Sequence, residues 1–280
     1  MSKHFVIAET SVVTPGMQNF LQHIGAPDWN SDASTDAEYI SEVAGRLCYK
    51  SFAVGLNPNV TRVREGNHDY LGNIIKQKHG SVFEHSTASV VFCDVSRIFT
   101  HEIVRHRAGM AYSQESQRFV RLDNFQVYIP NLTNVFEDIA GYVNTEDVPA
   151  VWAQDQQEKF ISAVGQINTV TQGFMQDFIK SWELNNPSLP FHLKKQVTSA
   201  MRRFVAGGVN TNIMVTGNHR IWRHIIEART SFGAEEEIAK VIGKLAEDFQ
   251  TRYPAFYQDM VKTLDSAVDW PSYTFVYGKI

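Results

Sequence analysis

Residues 105–119 read Arg105-His106-Arg107-Ala108-Gly109-Met110-Ala111-Tyr112-Ser113-Gln114-Glu115-Ser116-Gln117-Arg118-Phe119. The span crowds cations, hydroxyls and amides together with little apolar filling, a composition that a packed core has no use for. Just upstream, Val95, Ile98, Phe99, Ile103 and Val104 recur at helical spacing. Residues 95–104 are therefore predicted as a helix that buries one side and delivers Arg105-His106-Arg107 at its C-terminal end, where cations oppose the negative end of the helix dipole. Gly109 breaks that helix, and residues 112–120 have an extended character, so the two arms are expected to face each other across a turn. The product is an anion-binding corner with hydroxyls beside it, in which Arg offers planar, bidentate donors.

Outward from this corner, residues 4–13 are strand-like and end at Thr14-Pro15-Gly16, with a polar segment to Thr35. Ser34 or Thr35 caps a helix whose expected buried face is Ile40, Val43, Ala44 and Leu47. After a looser stretch through Gly55 and Pro58, Tyr70, Leu71, Ile74 and Ile75 mark a second helix ending near Lys78-His79-Gly80. Residues 81–95 mix Val, Phe and Thr in a strand pattern that feeds the 95–104 helix. Residues 122–149 look irregular and are expected to form an insertion or a lid. A long helix is predicted over residues 150–184 and another over 191–205, ending at Gly207-Gly208. Residues 209–215 read as a strand, and 218–229 and 234–249 as consecutive helices. No internal repeat or linker interrupts this order, so the expectation is a single α+β domain over residues 1–280, a mostly antiparallel sheet packed with long helices.

The chain has 280 residues, of which 43% are hydrophobic and 20% charged, an ordinary globular composition that is silent about function. A net charge of −4 and a pI near 6.2 argue against a dedicated nucleic-acid binder, so any basic patch is local. Cys48 and Cys93 are far apart and form no C-x-x-C, which implies neither a disulfide framework nor a zinc knuckle and fits a reducing compartment. Neither thiol sits in a cationic setting, and core packing is the expected role of both. With no signal-peptide pattern and no apolar run of roughly 18 residues, neither a membrane span nor secretion is expected, and the chain reads as cytoplasmic.

Two further clusters carry polar chemistry. His79-Gly80-Ser81-Val82-Phe83-Glu84-His85 places two histidines six apart, which matches no familiar zinc pattern, so no metal is expected. In Asn218-His219-Arg220-Ile221-Trp222-Arg223-His224, continuing to Arg229, helical spacing puts Arg220 and His224 on one face and leaves Trp222, Ile225 and Ile226 for packing.

Taken together, Arg-His-Arg followed by Tyr-Ser-Gln-x-Ser-Gln-Arg-aromatic, the His-x-Ser-x-Phe-Glu-His segment and the Asn218 helix resemble the signature elements of the flavin-dependent thymidylate synthases. The resemblance covers most of residues 79–121 and 202–238. It implies a homotetrameric methyltransferase that binds FAD at subunit junctions and carries a methylene group from methylenetetrahydrofolate to dUMP, with NADPH reducing the flavin. It assigns His79, Ser81, Arg105, His106, Arg107, Gln114, Asn218, Arg220 and His224 to flavin. Glu102, Gln114, Ser116, Gln117, Arg118, Arg202 and Arg229 go to the nucleotide, with Ser116 and Arg229 acting on the reacting pyrimidine. Three departures stand out. The spacer between Arg107 and Ser116 is one residue longer than in the family pattern, Glu102 stands where Gln is common, and Gly233 stands where His is frequent. A carboxylate at Glu102 is expected either to pair with Arg105 or to change how the substrate is held, and the departures leave room for C5-methylation of UMP or another pyrimidine nucleotide as an alternative. For Arg229 the plain structural alternative is an ion pair with Glu227 or Glu237.

Overall fold

The computed structural model describes residues 3–119, 124–143, 145–265 and 268–278. At its centre is a four-stranded sheet built from β1 (Lys3–Glu9), β2 (Thr87–Ser96), β3 (Met110–Gln114) and β4 (Asn210–Asn218), in the spatial order β1-β2-β4-β3. Every neighbouring pair is antiparallel, as expected. β4 alternates strictly, with Thr211, Ile213, Val215 and Gly217 turned to the buried face, the period-two signature of a strand covered on one side. β2 keeps Val90, Phe92 and Val95 out of water. On edge strand β3, Met110, Tyr112 and Gln114 are the more buried residues and alternate with exposed Ala111 and Ser113.

Helices α2 (Asp36–Tyr49), α3 (Asn67–Lys76), α4 (Arg97–Ile103), α8 (His219–Arg229) and α9 (Glu236–Arg252) gather around this sheet. The main core joins Leu71 and Ile75 of α3, Phe99 and Ile103 of α4, Trp222, Ile225 and Ile226 of α8, and Ile242, Leu245 and Phe249 of α9. Thr35 is the cap of α2, accepting the Glu38 N–H at 3.2 Å. Val43 is buried and Ala44 packs against the core as expected, but Ala37, Ser41 and Gly45 also point inward while Leu47 and Cys48 are exposed. Core packing is therefore not the role of Cys48. Glu42 and Arg46 also turn inward, as a buried ion pair, so the buried side of α2 is wider and more polar than an apolar stripe.

Several boundaries moved for local reasons. The turn expected at Thr14-Pro15-Gly16 is instead the start of α1 (Thr14–His23), because Pro in the first turn of a helix costs no hydrogen bond. Residues 80–84 form a 3-10 turn, and the strand starts only at Thr87. β2 runs on to Ser96, whose hydroxyl caps α4 by accepting the Phe99 N–H at 3.0 Å, so α4 is shorter than predicted and its Ile98 is exposed. The extended arm expected from Tyr112 to residue 120 ends as strand at Gln114 and gives way to a turn closed by the Phe119 N–H on the Ser116 carbonyl, while residue 120 lies outside the described residues. Within 122–149, α5 (Thr133–Ala140) is a regular helix where irregular structure was expected, held against α6 (Pro149–Ser181) by the Phe136–Trp152 ring contact and by Gln157, which bonds the backbone at both Pro130 and Leu132. The other long helix, α7 (Phe191–Met201), continues into a 3-10 turn at Arg202–Phe204. The C-terminal hairpin of β5 (Met260–Thr263) and β6 (Ser272–Phe275), for which no strand was expected, is tied to α8 by the buried Arg223–Asp259 ion pair at 2.7 Å. No helix among the described residues is long and apolar enough to cross a membrane.

Candidate active site

The site is assembled where β4 turns into α8. Asn218 ends the strand and caps the helix, its Oδ1 accepting the Ile221 N–H at 2.9 Å. Against it sits Gly109 at φ +70°, where a Cβ would lie 2.6 Å from Asn218 Nδ2. Glycine is thus required twice over at this point, for the left-handed backbone and for the close approach. One turn further along α8, Arg220 and His224 share a face, and with Asn218, Gly109, Glu84 and Glu227 they line a cavity of about 350 Å³. Arg220 forms an ion pair with Glu84. It also lines an adjoining cavity of about 360 Å³ with His79, Ser81, Tyr49 and Cys48. There the Tyr49 hydroxyl meets His79 Nδ1 at 2.7 Å with the two rings stacked.

The far end of α8 carries Arg229. Its Nη1 donates to Glu102 Oε2 at 2.5 Å, its Nη2 to the Glu102 carbonyl at 2.8 Å, and its Nε to His106 Nε2 at 2.8 Å. Because Nε2 of His106 accepts from a guanidinium, that imidazole is neutral and carries its proton on Nδ1. Burial, followed by the Arg229 charge and His224, pushes the His106 pKa down to about 4, against a smaller opposing effect of Glu102. The ring of His106 meets that of His224 edge to face, with centroids 5.4 Å apart. Tyr112 closes the corner from β3, its hydroxyl donating to the carbonyls of Ile103 at 2.9 Å and of His106. Burial raises its pKa to about 12. The two arms of residues 105–119 do face each other across a turn.

The expected Glu102–Arg105 pair does not form. Arg105 is exposed, and Glu102 in the last turn of α4 faces the last residue of α8 instead. The alternative pairing of Arg229 with Glu237 fails as well, because Glu237 accepts from the backbone N–H of Ser96 at 2.7 Å and from its hydroxyl. Glu227 lines the α8 cavity, and the carboxylate that pairs with Arg229 is that of Glu102.

Arg107, like Arg105, is exposed on the turn beside the cavity wall. Gln114 donates to Thr100 Oγ1 at 3.1 Å, joining β3 to α4. Ser116 organises a turn, its hydroxyl accepting the Arg118 N–H at 3.2 Å and its carbonyl the Phe119 N–H at 3.0 Å, with Gln117 half-buried between them. Arg118 is tied to α7, since Thr198 donates to its carbonyl at 3.0 Å, and Arg202 follows at the end of that helix. Arg202 is close enough to Arg97 to lower the pKa of that half-buried guanidinium, a smaller effect than burial itself. Arg97 and Arg202 thus form a second cationic pair at the end of α7.

Sequence reasoning passed over Tyr112, Glu84 and Tyr49 as parts of the site. Tyr112 and Glu84 stand inside the quoted motifs and were legible by position. Tyr49 had no signal, because its place beside His79 depends on how α2 packs against the turn after α3.

Comparison with known proteins follows the same lines. Residues 31–255 match the family described as thymidylate synthase complementing protein. Among curated proteins, flavin-dependent thymidylate synthase of Corynebacterium diphtheriae is 32% identical over 83% of this chain and 82% of its own length. That of Mycobacteroides abscessus is 32% identical over 76% of this chain and 75% of its own. Among solved structures, a UMP/dUMP methylase, PolB from Streptomyces cacaoi bound with 5-Br dUMP, superposes with a TM-score of 0.60 over 92% of this chain and 94% of the other, at 13% identity, a likeness of fold. By the family match and the extent of these similarities, the chain belongs to the flavin-dependent thymidylate synthase family.

Proposed function

We propose that this protein catalyses the reductive methylation of dUMP to dTMP, with methylenetetrahydrofolate as carbon donor, FAD as bound flavin and NADPH as reductant. The observation that carries the reading is the α8 helix, which lines the cavity with Asn218, Arg220 and His224 and ends in an Arg229 that reaches the Arg-His-Arg stretch. The residues present fit a flavin. Two adjoining cavities share Arg220, a glycine lets backbone approach their wall, and Arg105 and Arg107 supply positive charge on the neighbouring turn for a pyrophosphate. His79, Ser81, His106 and Gln114 complete the set of side chains that would hold it. When bound, the flavin supplies the hydride that converts a transferred methylene into a methyl group.

The chain's own residues do the rest. Arg118 and Arg202, with Ser116 and Gln117, would bind the nucleotide phosphate and sugar. Arg229 would stabilise the negative charge that spreads over uracil when N3–H is lost, which raises electron density at C5, the carbon that attacks the methylene. Glu102 and His106 orient the guanidinium for that contact. Free Cys48 and Cys93 support a reducing, cytoplasmic setting. Residues 124–143 and 145–149, the described part of the expected insertion or lid, would cover the site. The homotetramer rests on apolar side chains left at the surface, including Ile167, Val170 and Phe174 of α6. A product assay with dUMP and UMP in parallel, supplied with methylenetetrahydrofolate, FAD and NADPH, tests the reading. Formation of dTMP is expected, and methylation of UMP alone overturns it.

A further inference from the structure

Arg229 offers five N–H donors, and three of its bonds are already made within the chain. Its Nε is held by His106 at 2.8 Å and one Nη by the Glu102 backbone carbonyl at 2.8 Å, contacts that fix the plane of the guanidinium whatever the Glu102 side chain does. The Glu102 carboxylate itself adds the third bond, at 2.5 Å. Exposure of the two side chains is unequal, 19% for Arg229 and 38% for Glu102. The carboxylate can therefore swing into water while the guanidinium stays in position.

The chemistry of the two competing anions is alike. A carboxylate is a planar group with one delocalised negative charge and adjacent acceptor atoms. Uracil that has lost its N3 proton presents the same pattern along its N3–O4 edge, whereas neutral uracil turns an N–H donor toward the guanidinium. Building on the dUMP reading above, we propose that the Glu102 carboxylate is a built-in competitor for the uracil-binding edge of Arg229, occupying it in the free protein and leaving when the pyrimidine binds as its monoanion, its N3 proton passing to solvent. The exchange moves no backbone, because the backbone carbonyl of Glu102 continues to hold Nη2. It also gives position 102 a role in selectivity, since a ligand gains from the exchange only when its ring can carry the charge that replaces the carboxylate. A glutamine at this position would hold the same guanidinium without charge and would yield more readily.

Isothermal titration of the flavin-loaded protein tests this, comparing wild type with Glu102→Gln and Glu102→Ala, and using dUMP and 3-methyl-dUMP as ligands. Removing a half-exposed ion-pair partner should tighten dUMP by about twofold to fivefold in both variants. The affinity for 3-methyl-dUMP, which has no N3 proton to lose, should stay at the wild-type value. Equal dUMP affinity in all three proteins would overturn the competition, and weaker dUMP binding in the variants would make Glu102 a ligand instead. Tightening of both nucleotides alike would reduce Glu102 to general repulsion of the phosphate and overturn the proposal too. If wild type and variants all fail to bind dUMP, the substrate reading fails, and the competition with it.

Discussion

The guanidinium of Arg229 reaches a ring nitrogen, a carboxylate and a backbone carbonyl through three different nitrogens. An ammonium is a point donor on a flexible stem and cannot reproduce that planar arrangement. The Arg229→Lys variant is therefore expected to lose about a hundredfold in kcat for methylation, the usual effect of removing one transition-state donor. NADPH-driven flavin reduction in the same variant should stay within a few-fold of wild type. Stopped-flow flavin bleaching beside a dTMP product assay separates the two, and methylation near the wild-type rate would end the assignment. The motif around Arg229 made it a candidate from sequence, but its partners were beyond reach. Glu102 lies 127 residues away along the chain, and only the docking of α4 against α8 brings them together. Neutral His106 was equally hidden, since its depressed pKa comes from burial and from a cation brought in by another helix.

Two junctions between elements carry consequences that can be measured. Gly109 joins α4 to β3 at positive φ and touches Asn218, so Gly109→Ala introduces both backbone strain and a clash. It should cost about 1–3 kcal/mol of stability and weaken flavin binding by more than tenfold, because the strained turn forms the cavity wall. Chemical denaturation and flavin titration measure the two effects, and unaltered flavin affinity would detach the turn from the site. The second junction is Glu237 in the first turn of α9, whose carboxylate holds Ser96 at the start of α4. Burial pushes its pKa up to about 7, with the Ser96 bonds opposing that shift and Glu235 and Glu236 adding to it. An acid with a raised folded pKa binds more protons folded than unfolded, so its contribution is present at low pH and is lost as pH rises from about 4.5 to about 7. Glu237→Gln should thus flatten the fall in melting temperature across that window and melt above wild type at pH 8, with no gain at pH 4; parallel pH profiles would refute this. Long amphipathic elements such as α6, α8 and α9 were visible from their periodicity. α1 and α5 were not. A Pro that reads as a turn signal begins the first, and the second is short and held by contacts with α6.

At the scale of the molecule, apolar surface is left over. Phe5 and Ile7 of β1 are exposed, and Ile167, Val170 and Phe174 form an exposed apolar stripe along one side of α6. The site itself is open, with Arg105, Arg107 and Arg118 all exposed. Self-association would cover the first and close the second. Light scattering on the purified protein should return the mass of a tetramer, and Val170→Asp with Phe174→Asp should give a smaller species with weakened flavin binding. A monomeric wild type that holds flavin fully would rule this out.

The sequence by itself determined the chemical inventory of this protein, the α+β class and the antiparallel strands. Local spacing is enough to mark a cap, a motif or the packing side of α8, because those depend on residues a few positions apart. Tertiary structure decided the partnerships. Arg229 with Glu102 and His106, Arg220 with Glu84, and Tyr49 with His79 all join segments whose approach is set by core packing rather than by neighbouring sequence. A charge acquires its chemical meaning from the group it meets, and that meeting is a property of the folded chain.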